Sequence, residues 1–534
     1  MSDSGGFSTI PACLRAAAVD SAGVEAVVDG DLRLTFADLD AAVTRFARAA
    51  IARGLLPGDR AAVWAPNSGR WVVAALGILA AGGVLVPVNT RFKGAEARYA
   101  LAKVRASVLL LDDGFLGNDY LAMVRDSSPE PPTDRLPVPG LPDLHTVVTL
   151  DDVDDPAAIG YEHFLAGAET VPESTVDERI AALRPDDVAD ILFTSGTTGY
   201  PKGAMVTHLA DLRVDEAWSD GVGLRAGDRY LLINPFFHSF GYRAGLLACL
   251  VKRATIVPMR VFDVVGALEL VERERITVFP GAPTVFTSIL AHPKLADHDL
   301  GSVRLAVTGA TVVPVPLLVS MRERLGFRDV VTAYGLTETC GTATVCPPDT
   351  DAERLSTSCG KAIPGTEVAI VDGLGNSLPP GEHGEVVVRG YNVMLGYFED
   401  PVATAAAIDP DGWLHTGDVG WLDTEGYLRI TDRLKDMYVV GGFNVYPAEV
   451  ERMLSDHPAV AEVAVVGMPD DRLGEVGHAY VVAEPGAVPT EAELIEHCRA
   501  TMANYKVPRR VTFVTELPRT PSGKIQKFRL GAPA

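Results

Sequence analysis

Up to about residue 360, the apolar positions follow two spacings in turn. Short apolar runs, such as Arg60-Ala-Ala-Val-Trp-Ala65 and Val108-Leu-Leu-Leu111, predict buried strands. Between them, stretches such as Arg70 to Ala80 repeat apolar residues at helical spacing. Strands and helices in alternation predict α/β layers built on largely parallel sheets. Trp71 to Val88 is uncharged over nearly a bilayer's worth of residues. Gly77, Gly82, Gly83 and Pro87 interrupt it, and Val84-Leu85-Val86 is strand-like, so it predicts a buried helix, a Gly-Gly turn and a buried strand rather than a membrane span. The proline-dense segment from Ser127 to Pro142 predicts a surface insertion.

Beyond Gly360 the pattern changes to short strands between Gly and Pro turns, as in Glu367 to Val371 and Gly384 to Arg389, predicting a β-rich subdomain over about 360–431. After Asp432-Arg433-Leu434-Lys435 comes a compact unit of about a hundred residues, a normal size for a small domain. It starts with a strand (Met437 to Val440), a Gly441-Gly442 turn and a helix opened by Pro447, whose missing N–H suits the first helical turn. A second helix is predicted from Thr490, with Glu493 completing a capping box. The expected division is therefore 1–433, an α/β domain of layered sheets with its β-rich subdomain, and 434–534, a small α+β domain.

Composition narrows the function. The 534 residues are 47% hydrophobic and 22% charged, which suits a globular enzyme and excludes a disordered, collagen-like or coiled-coil chain. The formal net charge of −23 argues against nonspecific binding to nucleic acid or anionic membranes. It leaves room for local phosphate binding by backbone N–H groups and a few placed cations. The N-terminus has neither the basic nor the apolar region of a secretory signal, and the six cysteines are scattered without Cys-x-x-Cys spacing. A cytoplasmic protein with reduced thiols, bound to no structural zinc, is the expectation.

The sharpest chemical signal is Ile191-Leu-Phe-Thr194-Ser195-Gly196-Thr197-Thr198-Gly199-Tyr-Pro-Lys202-Gly203. An apolar strand runs into glycines, which let the backbone turn its N–H groups toward an anion, and into hydroxyls that add donors. Lys202 adds a positive charge, and the whole suits a polyphosphate. The spacing is not that of a Walker A loop.

This loop resembles the signature loop of the adenylate-forming superfamily, which includes acyl-CoA synthetases, carrier-protein adenylation domains and beetle luciferases. The resemblance continues in order along nearly the whole chain: Tyr334-Gly335-Leu336-Thr337-Glu338, Trp413 to Asp418, Asp432 to Asp436, Gly441 to Glu449, and Pro518-Arg-Thr-Pro-Ser-Gly-Lys524. It implies ATP, Mg²⁺ and coenzyme A, and a reaction in two steps. A carboxylate is first joined to AMP with loss of pyrophosphate; a thiol then displaces AMP. Bringing two anions together demands cations placed between them.

Residue by residue, the resemblance implies that Lys524 is the cation that joins carboxylate and α-phosphate. Thr194 to Gly199 and Lys202 would cradle the phosphates. Glu338 would hold Mg²⁺, with Thr337 beside the α-phosphate. Tyr334 would stack on adenine with Gly335 beside it in the nucleotide site, and Gly309-Ala310-Thr311 would form the other adenine wall, although the family usually reads Gly-Gly-Ala-Pro there. Asp418 would accept the ribose hydroxyls, and Arg433 would contact the nucleotide. Lys435 falls at the hinge position, and the implied mechanism is alternation of a mobile C-terminal domain. One pose delivers Lys524; the other presents Gly441-Gly442 to a pantetheine tunnel. The segment from Ile233 to Leu250 matches the aromatic motif near the acyl pocket, where His238 would gate the meeting of acid and thiol.

Three stretches (Ser195 to Met205, Ile233 to Leu250, Leu434 to Glu451) resemble most the acyl-CoA synthetases of actinobacterial sterol catabolism. They imply as acid the propanoate side chain of a bicyclic indanedione. Medium- or long-chain fatty acids are the alternative, with aryl acids behind them. A carrier-protein loader, a luciferase-type oxygenase and a nucleotide-binding regulator without catalysis are the competing activities; Lys524 and Glu338 argue against the last.

Overall fold

The computed structural model describes residues 8–126, 138–151, 155–194, 200–309, 313–433, 437–518, 525 and 527–530. Two large sheets carry the chain up to Thr332. In the first, the strand order is Asp329–Val331, Leu305–Val307, Val278–Pro280, Arg229–Leu232, Thr255–Pro258, Glu25–Asp29 and Leu32–Thr35. Its pairs are parallel except the last. In the second the order is Gly396–Tyr397, Lys202–Thr207, Val188–Thr194, Val84–Pro87, Arg60–Trp64, Ala106–Leu111, Thr146–Thr149 and Ile159–Gly160. Here too the centre is parallel, and the α/β layering expected from the sequence is what the chain forms.

The uncharged stretch from Trp71 to Val88 folds as the helix Gly69–Ala80 and the strand Val84–Pro87. Ser68 caps the helix by accepting from the Trp71 N–H at 3.1 Å, and all but one of its residues are buried because it lies inside the main core. Among the described residues, no helix is long and apolar enough to cross a membrane. Most of the proline-dense segment lies outside the described residues; Val138 and Leu141 at its end form an isolated bridge.

A four-stranded antiparallel sheet (Thr366–Val371, Gly384–Gly390, Leu414–Leu422, Leu428–Arg433) follows, where β-rich structure was expected. The C-terminal residues build a five-stranded sheet from Phe443–Val445, Tyr438–Val440, Gly474–Ala483, Val460–Asp470 and Arg510–Phe513. The helices Pro447–Ser455 and Glu491–Thr501 pack on it, and Tyr438, Val450, Leu454, Val465, Val481 and Leu494 form a core separate from the others. Thr490 and Glu493 make the expected capping box. The Gly441-Gly442 turn has φ of +56° and +88°, the left-handed pair that a two-residue hairpin requires and that glycine adopts at least cost.

Candidate active site

Parallel strands leave a crevice at their carboxyl ends, and a cavity of about 940 Å³ sits there. Phe193 and Thr194 end a strand of the second large sheet, Asn89, His238, Thr308, Gly309 and Thr332 follow strands of the two sheets, and all of them line it. Thr194 and Lys202 are Cα partners on adjacent antiparallel strands, and Thr194 lines the cavity. Ser195, Gly196, Thr197, Thr198 and Gly199 themselves lie outside the described residues, as do Ala310, Thr311, Lys435 and Lys524. Lys202 turns away from the main cavity, with Nζ 5.0 Å from the centre of the Tyr397 ring.

Tyr334 to Glu338 forms one wall. Gly335 must be glycine: a Cβ there would sit 2.2 Å from the Gly341 carbonyl oxygen. Thr339 ties the turn by donating to Leu336 O and accepting from Leu336 N–H. Glu338 Oε1 then accepts from Tyr397 OH at 2.8 Å and from Thr194 Oγ1 at 3.2 Å, joining the strand that ends at Thr194 to this wall. Burial first, and Glu338 second, push the Tyr397 pKa far up, so Tyr397 stays a donor. Tyr334 OH donates to Asp418 Oδ2 at 2.6 Å, and Asp418 is the Cα partner of Arg433 on the next strand. Tyr334 and Asp418, 84 residues apart, thus meet. Tyr334→Phe, which removes this hydrogen bond and keeps the ring, is expected to raise the KM for ATP about fivefold with little change in kcat, by steady-state kinetics.

His238 lines the cavity and its side chain is exposed there. The protein atoms packed around the ring first, and the Arg243 charge second, lower its pKa, so the ring is neutral near pH 7. Its Nδ1 accepts from the Phe240 N–H at 3.2 Å, which assigns the ring proton to Nε2. The next turns form a π-helix, Tyr242–Leu247, of the kind that recurs at functional sites. It carries Arg243 into the interior, where Nη2 meets Asp190 Oδ1 at 2.5 Å, Nε meets Asp211 Oδ1 at 2.7 Å, and Nη1 lies 3.5 Å from the Thr337 carbonyl. Arg243 is 1% exposed and both carboxylates 0%, so this is a dry ion triad directly behind the Thr337 wall. Asp215 is buried close by, with no hydrogen-bond partner for either oxygen among the described residues. Burial, then Asp211, raises its pKa. Trp218 and Phe240 meet edge to face at 6.4 Å and, with Ala244, form an apolar end of the cavity.

The C-terminal sheet closes the other side. Gly442 and Phe443 reach the cavity, and Phe443 stacks on Tyr505 at 4.6 Å. Among the described residues no group of three or more His, Cys, Asp or Glu could cage a metal. One carboxylate beside hydroxyls instead suits a hard cation that keeps most of its shell as phosphate oxygens and water, so the donor set at Glu338 and Thr194 fits Mg²⁺ on a nucleotide. The sequence missed Tyr397, Arg243 with its aspartates, and Trp218. No motif marks them, although an arginine inside the apolar run Tyr242 to Leu250 was a visible signal of an internal charge.

A nucleotide-sized crevice at strand ends, walled by Phe193 and Thr194 and by a Tyr-Gly-x-Thr-Glu turn and covered by a small C-terminal sheet, defines an adenylate-forming enzyme. The chain belongs to the AMP-binding enzyme family: residues 14–398 match that family's model, and 449–524 match the model of the AMP-binding enzyme C-terminal domain. It is an AMP-forming acid–thiol ligase. The 3-[(3aS,4S,7aS)-7a-methyl-1,5-dioxo-octahydro-1H-inden-4-yl]propanoyl:CoA ligase of Rhodococcus jostii is 49% identical over 97% of this chain and 98% of its own. Among solved structures, the o-succinylbenzoate CoA synthetase of Bacillus subtilis bound with its product analogue OSB-NCoA has 30% identity, covers 97% of both chains and gives a TM-score of 0.80. The same synthetase in complex with AMP, at 29% identity and 98% coverage of both chains, gives 0.65. Coverage is nearly equal, so the gap reflects arrangement rather than extent: this chain is arranged more like the first.

Proposed function

We propose that this chain activates the propanoate side chain of a steroid-derived bicyclic indanedione. ATP and coenzyme A are consumed, and AMP, pyrophosphate and the acyl-CoA thioester are released. The observation that carries the reading is identity of 49% with the Rhodococcus jostii ligase across 97% of the chain. The apolar end at Trp218, Phe240 and Ala244 supports an acid with a bulky hydrocarbon body.

In the first step the carboxylate oxygen bonds to the α-phosphorus and pyrophosphate leaves. Lys524 neutralises the approaching anions. Thr194 to Gly199 surround the phosphates, with Thr337 at the α-phosphate; Lys202 reaches them only by leaving the Tyr397 ring it faces here. Tyr334, Gly335, Gly309, Ala310 and Thr311 form the adenine slot, and Asp418 and Arg433 take the ribose. Glu338 and Thr194 hold Mg²⁺, which supplies charge neutralisation on the phosphates. In the second step the thiol sulfur, losing its proton, bonds to the acyl carbon and AMP leaves. Gly441 and Gly442 border the pantetheine arm, and neutral His238 orients the acyl group. The proposed division is 1–433, with its β-rich part at about 360–431, and a mobile 434–534. The six unpaired cysteines support a reducing, cytoplasmic setting.

A panel of acids scored by coenzyme A-dependent AMP release tests the substrate. The indanedione propanoate is expected to exceed fatty acids of any chain length in kcat/KM by more than about tenfold, the discrimination that one or two misfitted groups in an apolar pocket give. A fatty acid turned over as well or better would replace this reading with the fatty acyl one.

A further inference from the structure

Lys506 lies in the C-terminal part, just beyond the helix Glu491–Thr501. Its side chain is 2% exposed, and its Nζ stands between two carboxylates: Glu449 Oε1 at 2.7 Å and Glu96 Oε1 at 2.6 Å. Glu449 is on the C-terminal helix Pro447–Ser455, whereas Glu96 is on Gly94–Lys103, beside the second large sheet. The Phe92 ring lies 4.7 Å from the same ammonium.

The two carboxylates are not equivalent. Lys506 and Glu449 neutralise each other within one folding unit, wherever that unit sits. Glu96 is a third, surplus charge, and it can meet Lys506 only when the C-terminal sheet is seated as it is here. Glu96 also serves its own helix independently of that seat, because its Oε2 accepts from the Lys93 N–H at 2.8 Å and caps the first turn. Burying a carboxylate is unfavourable unless a cation receives it, so the contact favours this one arrangement.

That arrangement is coupled to the cavity. Tyr505, next to Lys506, accepts from Asn89 Nδ2 at 3.1 Å and stacks on Phe443, which adjoins Gly442 at the cavity edge. We propose that Glu96 is a positioning residue that seats the C-terminal domain, through Lys506, in the arrangement used for thiol transfer and not in the one used for adenylation. The proposal rests on the two-step ligase reading above.

The test is Glu96→Gln, whose amide oxygen can still cap the helix while the charge is gone. Single-turnover thioester formation from supplied acyl-adenylate and coenzyme A is expected to fall roughly tenfold or more, and acid-dependent pyrophosphate exchange to stay within about twofold. In parallel, spin labels at Val19→Cys and Val488→Cys, 80% and 91% exposed in the native chain, report the distance between the two parts. A distribution that broadens or shifts in Glu96→Gln is expected. Equal loss in both half-reactions, no loss in the second, or an unchanged distribution overturns the proposal. Glu96→Asp keeps charge and cap but falls a methylene short; it is expected to give an intermediate loss in the thiol step alone, and it decides the matter if the Gln variant does not fold. Failure of the ligase reading is distinguishable, because the unmodified protein would then release no AMP with any acid.

Discussion

Lys524→Ala is expected to cut acid-dependent pyrophosphate exchange about a thousandfold while thioester formation from supplied acyl-adenylate stays within a few-fold. Joining a carboxylate to an α-phosphate sets two anions against each other. One ammonium at about 4 Å, in surroundings of effective dielectric near 20, offsets roughly 4 kcal/mol of that repulsion, which is about three powers of ten in rate. The second step needs no such cation, because the carbonyl is already activated and the nucleophile is a thiol. Lys527, three positions later in the sequence, pairs with Glu451 of the helix Pro447–Ser455 at 2.8 Å. Exchange and thioester formation measured side by side decide the point, and a similar loss in both would remove the two-arrangement mechanism.

How far the sequence foretold this site follows from which interactions are local. The strand ending at Thr194 and the phosphate loop after it were legible because glycines and hydroxyls directly after an apolar run have few other uses. The returning strand Lys202–Thr207 was not read, since its pairing partner is set by the sheet and not by its own pattern. The Gly441-Gly442 turn announced itself, because glycine adopts such angles at least cost, whereas Gly335 came only with the family motif and its close approach to Gly341 shows only in the structure. Tyr397 and Glu338 are a different case. They meet because the short strand Gly396–Tyr397 adds to the edge of the second sheet, a pairing across nearly two hundred residues that no periodicity encodes. The Glu96–Lys506 contact spans still more of the chain and depends on how two separately packed units sit together. Lys202 shows the converse: a motif can name a cation without fixing its rotamer, and here it faces the Tyr397 ring.

Arg243→Met is expected to destabilise the protein by about 3–5 kcal/mol at pH 7.5, because it leaves Asp190 and Asp211 buried without their cation. The loss has a pH signature. Burial already raises the Asp190 pKa well above its ordinary range against the opposing pull of Arg243. Without the guanidinium it rises further, so the folded variant holds a proton that the unfolded chain releases near pH 4. Stability of that kind is present at low pH and is lost as pH rises toward the folded pKa. Each proton that the folded variant holds and the folded parent does not should narrow the gap between them by about 1.4 kcal/mol per pH unit on going from pH 7.5 to 5.5. Urea unfolding midpoints of parent and variant at both pH values measure it, and a gap that does not change with pH would show that the buried carboxylates are not its source. Arg243→Lys should fall between the two, since an ammonium keeps the charge but cannot fork between two carboxylates and also reach the Thr337 carbonyl. Its adenylation rate should accordingly suffer more than its stability, because the Thr337 wall loses its tether while the carboxylates keep a cation.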